Sequence, residues 1–112
     1  MTTYYGVDIP ASGQEPMDIP GLVSQEVLDR LSELAQGKHI LVELGAWKGR
    51  VTVALARACK GYVYSIDIWD NNTYSPKSFD TQDHLEESPD NCLAYRIWLA
   101  WMTHFGLLGV NV

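Results

Sequence analysis

Three features of the 112-residue chain have types and spacing that could do chemistry together: Glu43, the turn Gly45-Ala46-Trp47-Lys48-Gly49, and Asp67. Glu43 interrupts the apolar run from Ile40 to Leu44, where a carboxylate is costly unless it is paired or faces a ligand. Asp67 closes a second apolar run, Tyr62 to Ile66. Strand, glycine turn, helix and acid-tipped strand, in that order, build a cradle for a nucleotide-like cofactor. The turn lets backbone approach the ligand, and the acid accepts hydrogen bonds from ribose hydroxyls. Plainer readings exist for each residue: Gly45 and Gly49 as turn and packing glycines, Asp67 as a turn cap, and Trp47 as a side chain packed on the N-terminal segment.

The turn discriminates among ligands. Dinucleotide sites place a second glycine where the pyrophosphate is approached; here Trp47 stands there, and its indole would crowd the phosphates. Glu43, two residues before the turn, would repel a polyanion. A phosphate loop of the Gly-Lys-Ser/Thr type is absent. A cofactor with a ribose, no phosphates and a positive centre fits better, because an acid beside the turn then attracts it.

Val42-Glu43-Leu44-Gly45-Ala46-Trp47-Lys48-Gly49-Arg50, followed by Thr52-Val53-Ala54-Leu55-Ala56 and Ser65-Ile66-Asp67, resembles the first two motifs of class I S-adenosylmethionine-dependent methyltransferases. The likeness is to the branch with an acid, Ile or Leu, glycine and a following aromatic, which includes catechol-type O-methyltransferases and the cephalosporin-hydroxylase-like group. It covers residues 40–69 well and 90–112 thinly. The resemblance implies that Glu43 lies near the methionine end of S-adenosylmethionine and that Gly45, Ala46, Trp47 and Gly49 wrap it. It further implies that Asp67 holds the ribose and that Ile68 or Trp69 flanks the adenine. Asp67 follows Gly45 at the offset of about 20 expected of a ribose-binding acid. Val51 departs from the pattern, since a hydroxyl often stands there. Either a hydrogen bond to the cofactor carboxylate is missing, or Thr52 supplies it. The resemblance implies methyl transfer to a small-molecule acceptor. No catalytic residue and no metal ligand is assigned.

The elements that must position these residues follow from spacing. Residues 1–22, rich in proline and glycine, predict an irregular leader, either a tail or a lid over the site. Ser24 predicts an N-cap, with Val27, Leu28, Leu31, Leu34 and Ala35 as one apolar helix face ended by Gly37. Ile40 to Leu44 reads as a strand covered on both faces. Val51, Leu55 and Ala58 mark the next helix face, and Tyr62 to Ile66 the second strand, joined to the first by a parallel crossover. Residues 70–88 read as a polar loop with a turn of helix near Gln82 to Glu87. Ser88-Pro89-Asp90 predicts the start of a helix running to Phe105, with Leu93, Ile97, Trp98, Trp101, Met102 and Phe105 facing a sheet. Val110-Asn111-Val112 would begin a third strand. The predicted fold class is α/β: a Rossmann-like partial parallel sheet of about three strands, order 3-2-1, flanked by helices over residues 23–112.

Composition bounds the rest. With 46% hydrophobic and 20% charged residues the chain is an ordinary globular domain or part of one. A net charge of −6 argues against nucleic acid or anionic membrane as a main partner. No run approaches a membrane span and no signal-peptide pattern opens the chain, so a cytoplasmic protein with reduced Cys59 and Cys92 is expected. His39, His84 and His104 are scattered singly, and the acids Asp70, Asp80, Asp83, Glu86 and Glu87 read as a solvated loop. The doubly wound family has a second half carrying the base and acceptor pocket. The expectation is therefore the cofactor half of a longer enzyme, or a truncated descendant, with an open sheet edge that invites a homo-oligomer or a complementing chain.

Overall fold

The computed structural model describes residues 1–69 and 93–112. The predicted loop over 70–88, the helix start at Ser88-Pro89-Asp90, His84 and Cys92 lie outside the described residues. Those described form three helices and two small sheets, one an antiparallel pair and one a parallel pair.

The N-terminal segment departs most from expectation. β1 (Thr2–Tyr4) and β2 (Val7–Ile9) pair antiparallel, with Thr2 opposite Ile9 and Tyr4 opposite Val7. The two-residue turn between them, Tyr5-Gly6, has φ of 52° and 76°, the primed geometry that matches strand twist. A 3₁₀ turn follows at Pro16–Asp18, closed by a capping box between Glu15 and Asp18. Ile9 and Ile19 have no exposed surface, and both belong to the main core cluster with Val53, Trp98, Trp101 and Met102. Arg57 adds an ion pair to Glu15 at 2.9 Å and donates to the Gln14 carbonyl at 2.8 Å. The leader is thus a folded part of the core. Its many turn formers hide two anchoring isoleucines.

α1 (Gln25–Ala35) starts where expected: the Ser24 hydroxyl accepts from the Val27 amide at 3.3 Å. Its buried stripe is narrower than predicted. Leu28 and Ala35 are buried, whereas Val27 and Leu34 are about half exposed, because among the described elements α1 leans chiefly on one, α2 (Arg50–Ala58). α2 buries Thr52, Val53, Ala54 and Ala56 in place of the predicted Val51, Leu55 and Ala58 face. It is enclosed by α1, by the parallel strands and by α3 (Leu93–His104), so its covered arc is wide and rotated.

β3 (Ile40–Leu44) and β4 (Tyr62–Ile66) pair parallel, with Glu43 opposite Ser65. Two features expected of this sheet are not shown among the described residues. First, it is covered on one face only: Glu43 and Val63 are buried on the helix side, while Ile40, Val42, Leu44, Tyr62, Tyr64 and Ile66 are all exposed on the other. Second, the described residues contain no third parallel strand, so the order 3-2-1 is not seen. The Val110-Asn111-Val112 segment forms a turn that reaches the β4 edge with a single bond, from the Val63 amide to the Asn111 carbonyl at 2.9 Å. The Asn111 side chain instead donates to the Ala56 carbonyl at 2.7 Å, holding the segment against the end of α2. α3 packs its buried Trp98, Trp101 and Met102 on α2 and the hairpin, whereas a broad sheet contact was expected. Among the described residues no helix is long and apolar enough to cross a membrane.

Candidate functional site

The glycine turn joins the carboxyl end of β3 to α2. The Gly45 amide still donates to the Ile66 carbonyl at 2.8 Å, extending the parallel ladder by one step before the chain breaks away. Gly45 has φ of 85°, and a Cβ there would meet nothing. Glycine is needed for backbone conformation alone, and the space above it is open. Gly49 differs. Its φ is 108°, and a Cβ would lie 2.7 Å from Met102 Cε and 3.2 Å from Trp98 Cδ1. Gly49 is the N-cap of α2 and a close-packing point against α3. Ala46, between them, is 4% exposed and part of the core.

Asp67, at the carboxyl end of β4, reaches across to this turn. Its Oδ2 accepts from the Trp47 amide at 2.9 Å, and its Oδ1 accepts from the Trp69 amide at 3.0 Å. Those two tryptophans have positive φ, 47° and 54°. A bulky residue in the left-handed region costs on the order of 1–2 kcal/mol, so one carboxylate holds two strained residues in place. The Lys48 ammonium lies 4.7 Å from the centre of the Trp47 ring.

Glu43 is buried beneath the turn, 6% exposed. Its Oε1 accepts from the Thr52 hydroxyl and from the Ser65 hydroxyl, the latter at 2.8 Å, while Oε2 has no hydrogen-bond partner among the described residues. Burial pushes the Glu43 carboxyl above its ordinary range. The two hydroxyl bonds pull it back, and the charge of nearby Asp67 pushes it further up. Trp98 Nε1 donates to Thr52 Oγ1 at 3.1 Å, so a continuous polar chain runs from α3 through α2 to β3. Neither Glu43 nor Asp67 is in an ion pair among the described residues.

Residues 20–23 pass over the turn as a strap. Arg50 fixes them, donating from Nε to the Ile19 carbonyl at 2.8 Å and from Nη1 to the Val23 carbonyl at 2.5 Å. Pro20, Gly21, Leu22 and Val23 together with the Gly45 to Val51 turn enclose a pocket of about 70 Å³.

The structure brings Glu43, Gly45, Ala46, Trp47, Gly49 and Asp67 into one neighbourhood. Two assignments need correction. Thr52 is fully buried with its hydroxyl committed to Glu43 and Trp98, so it does not stand in for the hydroxyl missing at Val51. The Trp69 ring packs 4.9 Å from Tyr95 and 5.6 Å from Trp98, centre to centre. It belongs to an aromatic cluster, whereas Ile68 is 66% exposed. Ser65 and Arg50 were missed as site residues. Ser65 had a signal: it is the one serine in the second strand, in register with the one acid of the first. Arg50 had none, because its partners are backbone carbonyls 31 and 27 positions away. His104 is a structural tie, with Nε2 2.7 Å from the Gly13 carbonyl.

Compared with models of known protein families, with curated proteins and with solved structures, the chain matches none. The site's own geometry carries the functional argument.

Proposed function

We propose that this chain binds S-adenosylmethionine at the β3–α2 turn, as a small-molecule methyltransferase or as its cofactor-binding half. The observation that carries the reading is the bond from the Trp47 amide to Asp67. It joins the glycine turn of one parallel strand to the acid tip of the next, in the crevice outside the carboxyl ends of the strands where open α/β sheets bind ligands. Two acids at this crevice, neither paired with a cation among the described residues, favour a positively charged ligand over a polyanion. The orphaned Oε2 of Glu43 and the open space over Gly45 suit such a ligand.

In this reading Asp67 keeps its amide bonds and offers its remaining lone pairs to the ribose hydroxyls. Ile68 lies against the adenine, and the carboxylates of Glu43 and Asp67 supply the negative field for the ammonium and sulfonium end. S-adenosylmethionine would bring the methyl group. The residues assigned here bind and orient, and positioning contributes most of what such a transfer needs. The pocket of about 70 Å³ is far below the ~300 Å³ that small-molecule sites start from. That pocket is lined by neither Glu43 nor Asp67, so in this reading the ligand lies mainly in the open space over Gly45, outside it.

A second reading is a non-catalytic module, descended from a methyltransferase, that binds a nucleoside or a partner chain. The engagement of both Asp67 oxygens by backbone amides favours it, since the acid then has a structural task. Calorimetric titration with S-adenosylhomocysteine and with NAD separates the possibilities. The methyltransferase reading expects the homocysteine compound to bind and NAD to bind weakly or not at all. Tighter NAD binding, or a folded chain that binds neither, would remove it.

A further inference from the structure

The bare face of β3–β4 carries six apolar side chains and no charge. Ile40, Val42 and Leu44 are 68%, 60% and 79% exposed, and Tyr62, Tyr64 and Ile66 are 47%, 55% and 53% exposed. Their combined accessible area is roughly 800 Å², above the ~300–600 Å² of the largest apolar patch on a typical monomer and equal to the ~800 Å² that each partner gives to a standard interface. The two rows also differ in kind. β3 presents only branched aliphatics, whereas β4 presents two tyrosines, with ring centres 6.2 Å apart, and one isoleucine.

We infer that this face is covered by a second copy of the chain, packed sheet on sheet about a twofold axis parallel to the strands. That axis lays β3 of each copy over β4 of the other, so aliphatic side chains meet tyrosine rings on both sides. Val42 and Tyr64 are level in the parallel register, so Val42 of one copy lies against Tyr64 of its partner. A twofold axis across the strands would instead place like row on like row and lose this fit. The contact is isologous and closed, which limits assembly to a dimer. No charged side chain enters the patch, so the net charge of −6 per copy opposes association only at long range, and salt should strengthen the dimer. This surface is distinct from the unpaired edge of β3, and the inference does not rest on the cofactor reading.

Sedimentation velocity on the full chain tests it. The 12.6 kDa chain should run as a dimer of about 25 kDa at high micromolar concentration and dissociate on dilution toward the low micromolar range, with added salt shifting the midpoint down. Val42→Asp, which would bury an acid against the Tyr64 ring at each of the two equivalent contacts, should raise the dissociation constant at least tenfold while leaving the far-ultraviolet circular dichroism unchanged. Face-to-face sheets lie ~10 Å apart, beyond the reach of a disulfide, so mixing the Val42→Cys and Tyr64→Cys chains with a short thiol-to-thiol cross-linker should yield a 42–64 link identifiable by mass. A wild-type chain that stays monomeric overturns the inference and assigns the face to a different partner. A Val42→Asp chain that still forms the dimer overturns it as well, as does a 42–42 link in place of 42–64.

Discussion

The β3–β4 sheet presents two opposite environments from the same ten residues. On the helix side Glu43, Val63 and Ser65 sit under α2, joined to Thr52 and Trp98 by side-chain hydrogen bonds. On the other side Ile40, Val42, Leu44, Tyr62, Tyr64 and Ile66 stand exposed. The covered side carries Glu43 and Ser65 beside the buried Val63, and the bare side carries only aliphatic side chains and tyrosines, a departure from a simple inside–outside rule. A buried acid is tolerated because hydroxyls from both neighbours satisfy one of its oxygens. The exposed apolar row persists because nothing within the described residues lies over it. Each strand is therefore half structural and half unfinished surface, and substitutions on the two sides should behave differently.

The largest contrast lies within the turn. Gly49→Ala adds a positive-φ penalty to a collision with Met102 and Trp98, and should cost about 2–4 kcal/mol in urea unfolding. Gly45→Ala meets only the φ penalty and should cost about 1–2 kcal/mol. Equal losses would show that α3 does not press on Gly49. Thr52→Val comes next. It leaves the Trp98 indole without an acceptor and Glu43 without one donor, and should cost about 1–3 kcal/mol; a neutral effect would break the polar chain described here. Asp67→Ala removes the acceptor for the Trp47 and Trp69 amides and should cost about 1–2 kcal/mol of stability. If the ribose is also held there, the same variant weakens cofactor binding by on the order of 1–3 kcal/mol.

Glu43 offers a pH test. Its carboxyl is pushed above the ordinary value of 4.5 in the folded chain, so the folded state holds the proton more tightly than the unfolded one. Its contribution to stability is full below about pH 4.5, falls as pH rises through the raised value, and is flat beyond. Glu43→Gln should flatten that part of the urea midpoint–pH curve. An unchanged slope would show that another group causes it. The smallest effect belongs to the bare face: Val42→Ser, measured on dilute protein, should change stability by less than ~0.5 kcal/mol.

These contrasts also show what the sequence could tell. The β3–α2–β4 unit was legible because its signals are local: β-branched runs, punctuating glycines and an acid at each critical position. The hairpin was not, since strands of three residues carry almost no periodicity and the Tyr5-Gly6 turn lies among other turn formers. The buried arc of α2 was misplaced because alanine and threonine can face either way, and three neighbours decided it. Only the resemblance offers Thr52 to the ligand, as one of two ways to treat the hydroxyl absent at Val51, and the partners that claim it, Trp98 and Glu43, lie 46 and 9 positions away. Whether a strand is covered on one face or two depends on elements elsewhere, which a run of apolar residues does not encode.

The central claim is that the β3–α2 turn and Asp67 form a cofactor site, and backbone-amide NMR tests it residue by residue. Titrating S-adenosylmethionine into the labelled wild-type chain should move the Gly45, Trp47, Ile68 and Trp69 amides most. Tyr62 and Tyr64 on the bare face should stay still. A folded chain whose spectrum does not change at millimolar S-adenosylmethionine, or whose shifts gather on the bare face, would contradict the account.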